Sequence, residues 1–222
     1  MEFGGYNMFL LRPVGFMDNP FDYAISSFMA SIHNSFLNKL CTLFDGLGNF
    51  GIFFILLAII LLLSRKTRRF GVVLSIGLLL CLLVNDLFIK KVVGRNRPFM
   101  EHEEFLPLVS SILVPPSSPS FVSGHTGLSF MFAFIVLMFN RENKRYWILA
   151  YVFAVFMGFS RVYLLVHYFT DVLAGAVLGT LLGIGAYYIM KLVDFIYAKA
   201  KKEEIRELLV YNEHTLTDEE NN

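Results

Sequence analysis

Cysteine is scarce, with two in 222 residues, and Cys41 and Cys81 sit in separate apolar segments with no ligand spacing around them. This excludes a disulfide framework and a cysteine-based zinc site and leaves both thiols as packing residues. Charge is also sparse, at 17% of residues. The formal net charge of +1 says little about polyanions, because the basic residues are clustered and only their distribution is informative. No nucleic-acid partner is expected. Proline is confined to Pro13, Pro20 and five positions between 98 and 119, so helix breakers are missing from the apolar stretches. The first twenty residues lack the long apolar core and small-residue cleavage site of a signal peptide, so the start is expected to be retained.

What is present is apolar. Hydrophobic residues make up 56% of the chain and the mean hydropathy is +0.60, which predicts an integral membrane protein with one domain over residues 1–222. Phe50 to Leu63, Val72 to Ile89, Gly127 to Phe139, Tyr146 to Leu165 and Val172 to Ile189 are runs of spanning character. The first is short, and Leu47 to Asn49 extend it. The expected fold is therefore all-α, a multi-pass membrane helical bundle with five transmembrane helices. Residues 1–46 are expected to lie at the interface as amphipathic helices, because Phe21 to Asp45 mixes apolar groups with Ser26, Ser27, His33, Asn34, Asn38 and Lys39. His33 reads as a polar-face residue, and a sixth span results if this segment crosses. Lys90 to Val122 is a proline-rich loop, and loops of that length are usually functional. Gly175, Gly179 and Gly183 recur every four residues, a packing signal for close helix approach. Residues 191–222 read as a solvated tail without chemistry.

Basic turns set the orientation. Arg65, Lys66, Arg68 and Arg69, then Arg141, Lys144 and Arg145, then Lys199, Lys201 and Lys202 fall on one side of a five-span bundle. That side is the cytoplasm by the positive-inside rule, which also places the C-terminus there. Lys90, Lys91, Arg95 and Arg97 are left on the extracytoplasmic side, where positive charge is normally avoided.

Three polar clusters share that side. In K-K-V-V-G-R-N-R-P, Lys90 and Arg97 are seven residues apart, and Pro98 ends the helix at Arg97, so two long cations can close on one anion. Asp86, one turn from Lys90, is a structural partner. In V-S-G-H, Ser123 can cap the next helix while Gly124 and free backbone N–H groups offer an anion cradle, with His125 pointing into it. In S-R-V-Y-L-L-V-H-Y-F-T-D, His167 and Asp171 share one face if helical. Arg161 joins them only if the chain turns between. Each cluster alone has a plain structural counterpart: lipid-headgroup anchors, a Ser/Gly turn, an interhelical hydrogen-bond cluster.

Together they suggest phosphoryl chemistry. Lys90, Arg97, Arg161 and the helix-end N–H groups neutralise a phosphate without a metal. His167, held by Asp171, suits attack on phosphorus, and His125, without an acidic neighbour in its motif, suits proton transfer to the leaving group and then from water. The residues alone leave these roles open.

The three motifs resemble those of the type 2 phosphatidic acid phosphatase family, K-x6-R-P, P-S-G-H and S-R-x5-H-x3-D. The first and third match in residue and spacing, and the second has Val122 where the family has proline. The resemblance implies a metal- and cofactor-independent lipid phosphate or diphosphate phosphatase with a helical-bundle core. It also implies a phosphohistidine at His167, His125 as acid and base, and Lys90, Arg97, Ser123, Gly124 and Arg161 on the phosphate. Short bacterial membrane members look most like undecaprenyl diphosphate phosphatases. Phosphatidylglycerophosphate or phosphatidate phosphatase, a lipid phosphotransferase, and a non-catalytic phospholipid-binding or transport protein are the competing expectations. The partners expected are the bilayer and its lipid phosphate, with Phe99, Phe105 and Phe121 as candidate linings of the tail's access path.

Overall fold

The computed structural model describes residues 19–48 and 51–220. The chain start at residues 1–18, and the extension of the first apolar run through Asn49 and Phe50, lie outside the described residues. Every regular element among the described residues is helical. Helix α1 is Pro20–Ser31, α2 Ser35–Gly48, α3 Ile52–Leu63 and α4 Arg68–Cys81, which continues through a π-helical stretch, Leu82–Ile89, into α5, Lys90–Val93. After these come α6 Pro98–Glu101, α7 Leu106–Ile112, α8 Gly124–Phe139, α9 Lys144–Tyr163 and α10 Phe169–Glu220.

Among the described residues each predicted apolar run lies on a helix, except that the fourth overruns its helix by Leu164 and Leu165. Arg68–Glu101, Lys144–Tyr163 and Phe169–Arg206 are long and apolar enough to cross a membrane, and Ser35–Leu47 with Ile52–Leu63 passes as a fourth if the pair is one span. Helix α8 is apolar but has 16 residues, about 24 Å against the ~30 Å of a hydrocarbon core. The protein is thus an all-α multi-pass membrane bundle.

Local chemistry sets the ends that matter for the site. Asn19 caps α1 by accepting from Phe21 N at 3.0 Å, with Pro20 in the first helical position. Helix α5 stops at Gly94, whose φ of +58° suits the left-handed turn and whose N–H bonds the Lys90 carbonyl. Arg97 then leaves in extended conformation before Pro98.

The glycine repeat packs as expected, and its partner is α8. A Cβ on Gly179 would meet the Gly127 carbonyl oxygen at 2.0 Å, and those on Gly175 and Gly183 would meet the Ser123 and Met131 carbonyl oxygens at 2.7 and 3.0 Å. Backbone lies on backbone along this seam, which only glycine permits.

Two expectations change. The Lys90 to Val122 region is not one irregular loop, since it folds into α6, a 3-10 turn at Glu103–Phe105, and α7. Phe99 and Phe105 are buried in a core cluster with Val109, Tyr163, Leu164, Leu165 and Val166, so they line no access path. The N-terminal helices also do more than lie at an interface. His33, read as a polar-face residue, stacks on the Tyr163 ring at 4.2 Å and bonds its carbonyl oxygen at 2.6 Å. The Tyr163 hydroxyl donates to Asn38 Oδ1 at 2.7 Å and accepts from Asn34 N at 3.1 Å. These contacts satisfy the polar end of α9, where an orphan carbonyl would otherwise be buried.

The first compact unit ends at Ala186, and Tyr187–Asn222 forms a second, helical through Glu220. Within it the Lys191 ammonium lies 5.7 Å from the Tyr187 ring centroid.

Candidate active site

The turn expected between Arg161 and His167 exists, and hydrogen bonds show how it is built. Past the end of α9, Leu165 N–H donates to the Val162 carbonyl at 3.0 Å and Val166 N–H to that of Arg161 at 3.2 Å. This is a Schellman motif with leucine, not glycine, at the left-handed position, where φ is +56°. The conformation costs about 1 kcal/mol for a residue with a Cβ. Burial of the Leu165 side chain in the core cluster offsets that cost. His167 N–H also donates to the Arg161 carbonyl, at 3.3 Å, so arginine and histidine are tied through one backbone oxygen.

His167 and Asp171 do not share a helical face, because α10 begins at Phe169. Asp171 stands in its first turn and accepts from Tyr168 N–H at 2.9 Å, the acidic half of a capping box. The same Oδ2 faces His167 Nδ1 at 3.6 Å. The pairing is therefore met by the cap, with the imidazole just outside the helix. Nε2 is turned to Arg97, 3.5 Å from its Nη1. Burial, then the Arg97 charge, pushes the His167 pKa down to about 3, which favours the neutral ring.

Arg97 is locked. Its Nε donates to the Ser118 carbonyl at 2.7 Å, Nη2 to Ser118 Oγ at 3.1 Å and Nη1 to the Val166 carbonyl at 2.6 Å. Lys90 pairs with Asp86 at 2.6 Å, as the one-turn spacing predicts, and a Cβ on Gly124 would lie 3.5 Å from its Nζ. The first and second clusters thus meet at the N-terminus of α8. Ser123 occupies the N-cap position but makes no side-chain cap bond. Its Oγ pairs with Thr126 Oγ1 at 2.9 Å and its N–H donates to the Asp171 carbonyl at 3.1 Å. The expected hydroxyl cap is corrected accordingly: the serine ties α8 to α10, and the first α8 amides stay without an intrahelical partner. Val122 is buried.

His125 and Arg161 are joined by a residue that motif reading passed over. Asp45, on α2, accepts from Arg161 Nη1 and lies 4.0 Å from His125 Nε2. His125 therefore has an acidic neighbour after all, supplied from 80 residues upstream. Arg161 is further held by Ser160 Oγ, at 3.1 Å from Nε and 3.0 Å from Nη2. Arg95 and Asp22 were also missed, the first as one of four cations and the second as one polar residue in an amphipathic helix. Arg95 donates to Asp171 Oδ1 at 2.6 Å and to Asp22 at 2.8 Å, all three buried. The available signal was an unusual one, an aspartate directly after an N-terminal Asn-Pro-Phe helix start.

All eight sequence-predicted residues thus gather at one end of the bundle, where the π-helical stretch and α9 finish and α8 and α10 begin. Cations, helix-end amides and two histidines at one end of a membrane bundle form a set of groups chemically suited to a phosphate. The chain belongs to the PAP2 superfamily, whose pattern matches residues 68–194. It is 31% identical over 121 residues to an undecaprenyl-diphosphatase of Sulfolobus acidocaldarius, covering 54% of this chain and 55% of that protein. A phosphatidylglycerophosphatase B of Bacillus subtilis is 32% identical over 173 residues, covering 72% and 79%. A bacitracin transport permease protein, BcrC, of Bacillus licheniformis is 28% identical over 133 residues, covering 60% and 64%. The matched region thus spans less than two thirds of the undecaprenyl-diphosphatase and of BcrC. Among solved structures, a transmembrane PAP2-type phosphatidylglycerolphosphate phosphatase from Bacillus subtilis superposes with a TM-score of 0.65 at 31% identity, covering 81% of this chain and 90% of that one. LpxE of Aquifex aeolicus, 22% identical, shares the fold, with a TM-score of 0.61 over 78% and 98%.

Proposed function

We propose that this protein is an integral membrane lipid phosphatase that removes the terminal phosphate of a lipid diphosphate or monophosphate at the extracytoplasmic face, with undecaprenyl diphosphate as the leading substrate. The observation that carries this reading is the gathering of His167, Arg97, Lys90, Arg161, the start of α8 and His125 at one end of the bundle. A binding or transport protein needs the cations, but it has no use for a histidine oriented by a buried carboxylate.

The geometry suits two steps. His167 Nε2 attacks phosphorus as the bond to the lipid oxygen breaks, and His125 gives that oxygen its proton. Water then attacks the phosphohistidine, His125 takes the water's proton, and inorganic phosphate leaves. Arg97, Lys90 and Arg161 face the charge that gathers on the equatorial oxygens, and Asp171 steadies the cationic ring. No residue in this scheme needs a metal to neutralise the phosphate.

Phosphatidylglycerophosphate is the second substrate reading, supported by the longer matches, in sequence and in structure, to a Bacillus subtilis phosphatase named for it. The deciding assay is phosphate release in detergent with chelator present, across undecaprenyl diphosphate, phosphatidylglycerophosphate and phosphatidate. Release is expected from the wild type and not from His167→Ala. Equal release by both, or none by either, would sink the hydrolase reading.

A further inference from the structure

Two arginines of one short strip flank the His167 imidazole. Arg97 stands at Nε2, where phosphorus is attacked. Arg95 reaches the Nδ1 side through Asp171, donating Nη1 to Oδ1 at 2.6 Å, and the same Nη1 donates to Thr170 Oγ1 at 2.8 Å. Its guanidinium lies 4.0 Å from the centroid of the Tyr168 ring, and Tyr168 N–H bonds the other Asp171 oxygen. Behind Arg95 stands Asp22 of α1, which accepts from Arg95 Nη2 at 2.8 Å and from Thr170 N–H at 3.1 Å.

Asp22, Arg95 and Asp171 are each at most 1% exposed. Burying three charges is unfavourable relative to apolar packing of the same volume, so stability alone does not account for them. Their charges do. Arg95 gives Asp171 a fixed orientation, but by itself it would cancel the negative charge that a cationic imidazole needs. Asp22 returns the group to a net charge of −1 beside His167.

We infer that Asp22 and Arg95 are positioning residues for His167: Arg95 sets the angle of Asp171, and Asp22 restores the charge that Arg95 removes. The inference rests on the phosphatase reading above, with His167 as nucleophile. It gives the N-terminal helix α1, which precedes the family-matched region, a part in catalysis.

The test compares kcat and KM for phosphate release from a lipid diphosphate by the full chain in detergent. The variants are Asp22→Asn, Asp22→Glu, Arg95→Gln and the double Asp22→Asn/Arg95→Gln. Asp22→Asn is expected to lower kcat roughly tenfold or more, in line with the loss of groups that orient a reactive ligand, with KM within about twofold. Asp22→Glu keeps the charge and should stay closer to wild type. The double variant again leaves Asp171 with a net −1, so its kcat should exceed that of Asp22→Asn while remaining below wild type. A structural role predicts the reverse, because the double loses more buried bonds. A double variant no faster than Asp22→Asn, or an Asp22→Asn with wild-type kcat, overturns the inference. If Asp22→Asn alone does not fold, the double is read against wild type and His167→Ala, and a loss as deep as that of His167→Ala overturns it. Wild type and His167→Ala releasing phosphate alike would instead refute the phosphatase reading itself.

Discussion

Alanine at Gly179 puts the link between packing and catalysis to a direct test. The added methyl would sit 2.0 Å from the Gly127 carbonyl oxygen and 2.7 Å from its carbon, against an ordinary contact of 3.4 Å or more. Both obstacles are backbone, so no rotamer change relieves them. Helices α8 and α10 must part by roughly 1 Å or more at this point, an overpacking that costs about 1–3 kcal/mol. For a chain of this size the loss should lower the melting temperature in detergent by about 2–12 °C. The effect on turnover should be larger. Ser123 N–H and the Asp171 carbonyl are tied across the same seam, so Ser123 to His125 shift against His167 and Asp171, and under the proposed mechanism a misplacement of ~1 Å is worth about a hundredfold in rate. Gly127→Ala is the control on the facing helix. Its Cβ would lie 3.5 Å from the Gly175 carbonyl oxygen, an ordinary contact, so stability and kcat should stay near wild type. Thermal unfolding and phosphate release measured on both variants decide the matter. Equal behaviour of the two, in either direction, would refute the account of the seam.

Two further outcomes are expected. Arg97→Lys keeps the charge but loses the fork that spans Ser118 and Val166; with each charge-assisted bond worth about 1.5–3 kcal/mol, kcat should fall at least roughly tenfold, and a wild-type kcat would show that this arginine only anchors the loop. Asp45→Asn frees Arg161 of its carboxylate partner and His125 of its acidic neighbour, so inhibition by inorganic phosphate should tighten while kcat falls; a weaker phosphate inhibition would show that Asp45 holds Arg161 in place for the ligand.

Much of the site was legible because its parts are local. Lys90 to Arg97 spans a helix end and a proline, Ser123 to His125 opens a helix, and Arg161 to Asp171 contains its own turn, so spacing carries geometry in each. The glycine repeat likewise named a close approach without naming the partner, since α8 presents Ser123, Gly127 and Met131 through backbone atoms that leave no side-chain pattern.

Asp22 and Asp45 were hidden for a different reason, and Arg95 was one cation among four in its strip. A polar residue on an amphipathic helix looks the same in sequence whether its face meets water or a buried counter-charge. Asp22 and Asp45 therefore carry no signal of their own within a segment read as interfacial and amphipathic.

The sequence by itself determined the membrane helices and the three polar motifs that gather at one end of the bundle, because apolar run length and short-range spacing are properties of the chain. Only the tertiary structure decided which carboxylate faces which cation. Asp45 reached Arg161 and His125, and Asp22 reached Arg95, across 73 to 116 residues of chain. Pairings of that separation are selected by helix packing and by the cost of burying an unpaired charge, neither of which a linear pattern records.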